Sequence, residues 1–218
     1  MQRVAAIVPA FNEEPTIGSV VSVLKSSPLL SEVIVVSDGS TDRTSAVARE
    51  AGATVYDLER KSGKGNAMLH ALAHTDAPII LFCDADLKGF TADHVDQLLE
   101  PVLNGGRAMN VGLRDRGVFW NALALHLPLI GGERALRRTI IETIPPQFLS
   151  GFMIESALNY YCRSRHMPYG SVQLSGLSIR RKYEKVGWSE GLKQYGKMIT
   201  QVVKAMLIVR FAHLTRTF

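Results

Sequence analysis

The sequence predicts an α/β fold built on a largely parallel sheet, and three observations carry that reading. Runs of about five to seven residues rich in Val, Ile and Leu alternate with longer stretches of 3.6-residue periodicity, the pattern of successive β-α-β units. Several of the runs end abruptly in polar loops. At 218 residues, 46% hydrophobic and 21% charged, the chain is long and apolar enough to bury a proper core as one domain.

In order, residues 4–8 read as a first strand ended by Pro9, and 13–26 as a helix with Ile17, Val20, Val21 and Leu24 on one face. Residues 33–36 form the next strand and 40–51 the next helix, closed by Gly52. A strand at 54–56, a helix at 66–73 and a strand at 78–83 follow, the last leading straight into Asp84-Ala85-Asp86. After a helix at 92–103 and a strand at 108–113 the alternation gives way to helices at 118–125, 133–144 and 152–165. An extended piece at 171–180 and a last helix at 189–213 complete the chain.

Composition excludes several classes. The longest apolar run, 77–83, falls far short of the about 20 residues that cross a bilayer. The N-terminal apolar stretch meets Asn12-Glu13-Glu14 too soon for a signal peptide, so the expected location is the cytoplasm. The two cysteines, Cys83 and Cys162, read as buried thiols of a reducing compartment. Net charge is divided: residues 1–110 hold 9 basic and 14 acidic residues, whereas 111–218 hold 16 and 6. An acidic half suits a divalent cation and a basic half an anionic partner. Nucleic acid ranks last among such partners, since the basic residues match no nucleic-acid module.

Ligands of open α/β sheets collect at the carboxyl ends of strands, which here carry 10–14, 38–44, 62–65 and 84–88. Asp84 and Asp86, two apart after a buried strand, are the arrangement that shares a hard cation with a diphosphate. In the 38–44 loop Gly39 makes the turn, Ser40 or Thr41 caps the helix and Asp42 complements its dipole, which leaves Asp38 to accept hydrogen bonds from a base or ribose. Lys64, between Gly63 and Gly65 at a helix start, is a candidate phosphate contact, although neither a P-loop nor a dinucleotide fingerprint is present. His70 and His74 have i, i+4 spacing without the glutamate of a metalloprotease helix and are expected to be structural.

Val8-Pro9-Ala10-Phe11-Asn12-Glu13-Glu14, Val35-Val36-Ser37-Asp38-Gly39-Ser40-Thr41-Asp42, Gly63-Lys64-Gly65 and Asp84-Ala85-Asp86, in that order, resemble the nucleotide-sugar half of family 2 glycosyltransferases with the GT-A fold. The resemblance covers about the first 115 residues. It implies that Pro9, Phe11, Glu13 and Asp38 hold the nucleoside of a UDP- or GDP-sugar, with Lys64 near the base or diphosphate. Asp84 and Asp86 would bind ribose and a Mg²⁺ or Mn²⁺ ion. The single domain of residues 1–218 then divides into a nucleotide-sugar half (1–115), an acceptor half (116–188) and a C-terminal helix (189–218).

The second half is similar to polyprenyl-phosphate and dolichyl-phosphate sugar transferases at Gly131-Gly132-Glu133-Arg134-Ala135-Leu136-Arg137-Arg138, Ser150-Gly151-Phe152-Met153-Ile154-Glu155 and Arg180-Arg181-Lys182. This implies a phosphate-bearing acceptor, foremost a polyprenyl phosphate, held by Glu133, Arg134, Arg137, Arg138 and Arg114, with Arg116 nearby. Asp86, Glu155 and Arg134 are the expected catalytic residues. Sugar-phosphoglycerate synthases share the Gly-Lys-Gly and Gly-Glu features, which makes phosphoglycerate the alternative acceptor, and a non-catalytic nucleotide-sugar binder is a second alternative. Where relatives place a third metal ligand, this chain has Lys88 and Ile179-Arg180. In the last helix Leu192, Tyr195, Ile199, Val202, Met206 and Val209 form one stripe, with Lys193, Lys197 and Lys204 elsewhere, a pattern for packing or for peripheral contact with the inner membrane face.

Overall fold

A computed structural model of the protein describes residues 2–114, 131–149 and 153–179. The expected helices at 118–125 and 189–213, with the lysines of the latter, lie outside the described residues, as do Arg116, Ser150 to Phe152 and Arg180 to Lys182.

The elements run β1 (Val4–Ala10), α1 (Glu14–Ser26), β2 (Glu32–Asp38), α2 (Thr44–Glu50), β3 (Thr54–Leu58), α3 (Lys64–Leu72), β4 (Ile79–Phe82), β5 (Leu87–Lys88) and α4 (Ala92–Leu103). They continue with β6 (Met109–Arg114), β7 (Arg134–Arg137), α5 (Arg138–Thr143), a 3₁₀ turn (Pro146–Phe148), α6 (Met153–Ser164), β8 (Tyr169–Leu174) and β9 (Ser178–Ile179). Seven strands make one sheet in the order β3-β2-β1-β4-β7-β6-β8. Every pairing is parallel except those of β7, which runs antiparallel to both β4 and β6. β5 and β9 form a separate antiparallel pair, Leu87 opposite Ile179 and Lys88 opposite Ser178.

Both faces of the sheet are covered, as parallel strands require. One core joins alternate residues of β1, β2 and β4 to Ile17, Val20, Val21 and Leu24 of α1 and to Val95, Leu98 and Leu99 of α4. The other packs Ile7, Ile34, Ile80 and Phe82 against α3, α5 and α6. Helix α4 starts at Thr91, whose hydroxyl accepts from His94 N while its own N–H donates to His94 Nδ1 at 3.2 Å, a reciprocal cap. Nε2 of the same buried ring bonds the carbonyl of Ser175 at 2.9 Å and so ties α4 to the turn between β8 and β9.

Three expectations are corrected. The helix expected at 133–144 is instead the central strand β7 followed by the short helix α5. Arg134 to Arg137 have helix-forming composition, but the gap between β4 and β6 is filled by hydrogen bonding to both, and this long-range pairing overrides propensity. Helix α2 begins at Thr44 rather than residue 40, because Ser40, Thr41 and Asp42 are bound to the loop after β1. The extended piece at 171–180 resolves into β8 and β9, with a turn at Ser175 and Gly176.

Ile7 is fully buried at the centre of the sheet. Ile7→Ala is expected to lower unfolding free energy by about 2–5 kcal/mol in urea titration. Arg3→Ala, which removes an exposed ion pair with Asp76, should leave the midpoint essentially unchanged.

Candidate active site

Because β1, β2, β4 and β6 run one way and β7 the other, their carboxyl ends and the amino end of β7 share one edge of the sheet. That edge collects Phe11 and Glu13 after β1, Asp38 at the end of β2, Asp84 and Asp86 after β4, Arg114 at the end of β6 and Glu133 before β7. The reversal of β7 is what brings an acid from the second half of the chain to the carboxylates of the first.

The loops after β1 and β2 are locked together. Asn12 sits at φ 55°, and its Oδ1 accepts from Thr41 N at 2.8 Å while its own N–H donates to Ser40 Oγ at 3.1 Å. Glu13 N donates to Thr44 Oγ1 at 2.8 Å, and Asp42 accepts from Glu14 N at 3.2 Å. Ser40 and Asp42, read from sequence as helix-cap and dipole residues, instead fasten two loops. Lys61 Nζ stands 3.6 Å above the Phe11 ring, a cation–π contact that sequence reasoning missed and that no spacing signals.

Asp38 is buried, and its carboxylate accepts from Ser62 N and Ser62 Oγ, both at 2.7 Å, and from Gly63 N at 2.8 Å. Its partners among the described residues are therefore the Ser62 hydroxyl and the backbone that starts α3, and through Gly63 (φ 94°) it fixes where Lys64 begins its side chain.

At the centre lies an ionic chain. Asp84 accepts from Lys64 Nζ through Oδ1 and from Arg114 Nη2 through Oδ2, both at 2.7 Å. Arg114 also donates Nη2 and Nε to the fully buried Glu133, at 2.7 and 3.2 Å. Lys64 Nζ lies 3.8 Å from Glu155 Oε1 in the first turn of α6. Burial pushes the Asp84 carboxyl up, but the charges of Lys64 and then Arg114 outweigh it and hold the group well below its ordinary 3.8. Burial, followed by the charge of Asp84, pushes Glu133 above its ordinary 4.5 against the pull of Arg114. Lys64 and Arg114 are both raised, since their carboxylate neighbours overcome desolvation.

Gly131 and Gly132 leave room for this chain. A Cβ on Gly132 would overlap Asp84 Oδ2, and one on Gly131 would overlap the carbonyl of Gly112. Arg134 braces the same turn from beneath: 1% exposed, it donates Nε and Nη2 to the Gly131 carbonyl at 3.3 and 2.7 Å. Arg134, expected from sequence to be catalytic, here supports the Gly131–Gly132 turn through the Gly131 carbonyl.

The structure separates the arginines expected to hold an acceptor. Arg114 is committed to Asp84 and Glu133, and Arg134 is buried in a strand instead of standing on a helix face. Arg137 pairs with Ile79 at the opposite edge of the sheet. Arg138 is beside it, where its guanidinium donates to the carbonyls of Thr75 and Leu72 and its Nε reaches Glu142. Those two cannot meet a ligand at Asp84, because three strand residues intervene. Glu133 is likewise enclosed, while Pro9, Phe11, Glu13, Lys64, Asp84, Asp86 and Glu155 share the loop edge, partly exposed.

The donor set suits a hard cation. Asp84 precedes and Asp86 lies within a turn at 85–86 rather than in an extended segment, yet both charges act on Arg114. Among the described residues no group of three or more His, Cys, Asp or Glu could hold a metal. Two carboxylates with diphosphate and water oxygens match the way Mg²⁺ and related ions are bound, so the residues fit such an ion.

Residues 5–156 match the family described as glycosyl transferase family 2, and the chain belongs to that family. Glucosyl-3-phosphoglycerate synthase of Mycolicibacterium paratuberculosis is 30% identical over 94% of this chain and 72% of its own length. The synthase of Petrotoga mobilis is 28% identical over 71% of this chain, which spans only 59% of that relative. The crystal structure of the Mycobacterium tuberculosis synthase with Mn²⁺, UDP-glucose and phosphoglyceric acid is similar with a TM-score of 0.78 at 29% identity, over 95% of this chain and 79% of that one. The GT-A fold expected from sequence is the fold observed.

Asp84 has a lower pKa folded than unfolded, so its stabilising contribution is complete above its ordinary 3.8 and is lost as pH falls below it. Asp84→Asn is expected to lower unfolding free energy by about 2 kcal/mol or more at neutral pH. The gap to wild type should close progressively when urea titrations are repeated from about pH 5 downward.

Proposed function

We propose that this family 2 glycosyltransferase transfers glucose from UDP-glucose to 3-phosphoglycerate, with a Mg²⁺ or Mn²⁺ ion at Asp84 and Asp86. The observation that carries this reading is the extent of the likeness. Similarity to glucosyl-3-phosphoglycerate synthases runs through 94% of the chain in one relative, and so through the acceptor half as well as the donor half. The polyprenyl-phosphate acceptor that the sequence put first therefore yields to its phosphoglycerate alternative. Among the described residues no helix is long and apolar enough to cross a membrane.

In this reading the clamped loops after β1 and β2 receive the nucleoside against Pro9, Phe11 and Glu13. Asp38 acts one step back, by fixing Ser62 and Gly63 and hence the origin of Lys64. Lys64 holds a diphosphate oxygen, and the bound ion would supply neutralisation of the charge that grows on the departing UDP. Arg114, anchored by Glu133, keeps Asp84 ionised and aimed. Arg134 acts through the Gly131–Gly132 turn. A phosphate acceptor needs no base, but 3-phosphoglycerate offers a hydroxyl that carries a proton. Glu155, on the edge beside Lys64, accepts that hydroxyl's hydrogen bond and orients it. With Arg137 and Arg138 at the far edge, the acceptor phosphate is assigned to Arg180, Arg181 and Lys182, which come directly after β9 in the chain.

The direct test offers the purified protein Mn²⁺ and UDP-glucose or GDP-glucose with either 3-phosphoglycerate or a polyprenyl phosphate, and weighs the products by mass spectrometry. Glucosyl-phosphoglycerate formed from UDP-glucose is expected, and transfer to the lipid alone would overturn the assignment. Asp86→Ala and Gly132→Ala should each lower kcat by about 100-fold or more, the first by removing a metal ligand and the second by displacing Asp84. Glu155→Gln should reduce turnover while leaving UDP affinity near normal in calorimetry.

A further inference from the structure

Both oxygens of Asp84 are engaged by cations at 2.7 Å, Lys64 on one and Arg114 on the other. A divalent ion on this carboxylate must share it with two like charges inside a partly desolvated pocket, where such repulsion is strong. The two cations are not equally fixed. Arg114 is gripped by two hydrogen bonds to Glu133, which is fully buried, and its own side chain is 13% exposed. Lys64 is 33% exposed, and among the described residues its ion-pair partners are Asp84 and, at 3.8 Å, Glu155. It also begins α3 between two glycines, and nothing lies within 4 Å of where a Cβ on Gly63 would stand.

From this asymmetry, and building on the donor site proposed above, we infer that Lys64 is an exchange residue that leaves Asp84 for the donor diphosphate and so makes metal binding conditional on the nucleotide. The diphosphate offers Lys64 replacement oxygens of at least equal charge, and Asp84, relieved of Lys64, would then hold the ion together with Asp86. Arg114 stays, because moving it would leave Glu133 as an uncompensated buried acid. Glu155 gives the departing ammonium a second acidic neighbour, which keeps its charge compensated during the exchange. The consequence is thermodynamic: metal and UDP each strengthen the other's binding by the same factor, and the size of that factor depends on the charge at position 64.

The test counts free Mn²⁺ by its electron paramagnetic resonance signal, with and without UDP, for wild type, Lys64→Met, Lys64→Arg and Asp84→Asn. Wild type is expected to bind Mn²⁺ at least about tenfold more tightly when UDP is present. Lys64→Met should bind Mn²⁺ alone about tenfold more tightly than wild type, with the enhancement by UDP correspondingly smaller, and Lys64→Arg should keep both wild-type affinities within about threefold. Lys64→Gln replaces the methionine variant should that one fail to fold by circular dichroism. Binding of Mn²⁺ alone that is no tighter in the uncharged variant than in wild type overturns the exchange. Asp84→Asn separates the two ideas: if it leaves Mn²⁺ binding with UDP intact, the metal site itself is wrong. If it abolishes that binding while the uncharged Lys64 variant gains nothing, only the exchange fails.

Discussion

The Asp84 carboxylate, held between Lys64 and Arg114, is the constraint around which the rest of this molecule is arranged. A carboxylate so placed is costly to build, since each charge must leave water and then be matched by another. The fold meets that requirement with a single device, the reversed strand β7, which delivers buried Glu133 to the edge where the parallel strands end. Glu133 fixes Arg114, Arg114 fixes one side of Asp84, and the glycines at 131 and 132 keep side-chain atoms out of the space this needs. Arg134, buried in β7 itself, holds the glycine turn by its carbonyl.

The other side of Asp84 is set from further away. Asp38 binds the backbone of Ser62 and Gly63, so the starting point of Lys64 is set by the end of β2. The loop after β2 is in turn fastened to the loop after β1 through Asn12, Ser40, Thr41 and Asp42. Loops already cross-linked in place reduce the ordering that any ligand of this edge would otherwise require. Of the two cations on Asp84 among the described residues, Lys64 is the more exposed, at 33% against 13% for Arg114.

Much of the donor edge is legible in the sequence because parallel strands announce themselves as short apolar runs, and the loops at their carboxyl ends must lie at one edge of the sheet. Val4 to Ala10, Glu32 to Asp38 and Ile79 to Phe82 can be read nearly to their ends for this reason. Strand β7 cannot, because Arg134-Ala135-Leu136-Arg137 carries no strand signature and owes its conformation to partners at positions 79–82 and 109–111. That one difference displaces the acceptor candidates: on a helix Arg134, Arg137 and Arg138 could face solvent together, whereas on a strand Arg134 is enclosed and Arg137 and Arg138 pass to the opposite edge. Asp38 is legible as important but not as a backbone anchor, since its partners lie 24 and 25 residues away. The loops of the first half are written locally, while the conformation of 131–138 depends on long-range pairing with β4 and β6.

In the proposed function Asp84 and Asp86 would together hold one Mg²⁺ or Mn²⁺ ion with the diphosphate of a uridine nucleotide. Crystals grown with Mn²⁺ and UDP, measured at a wavelength where manganese scatters anomalously, test it most directly. A single strong anomalous peak is expected within bonding distance of both carboxylates and of the diphosphate, with Lys64 Nζ on a phosphate oxygen instead of on Asp84. A nucleotide bound at the β1 and β2 loops with no manganese peak between it and Asp86, or with the ion elsewhere on the protein, would contradict it.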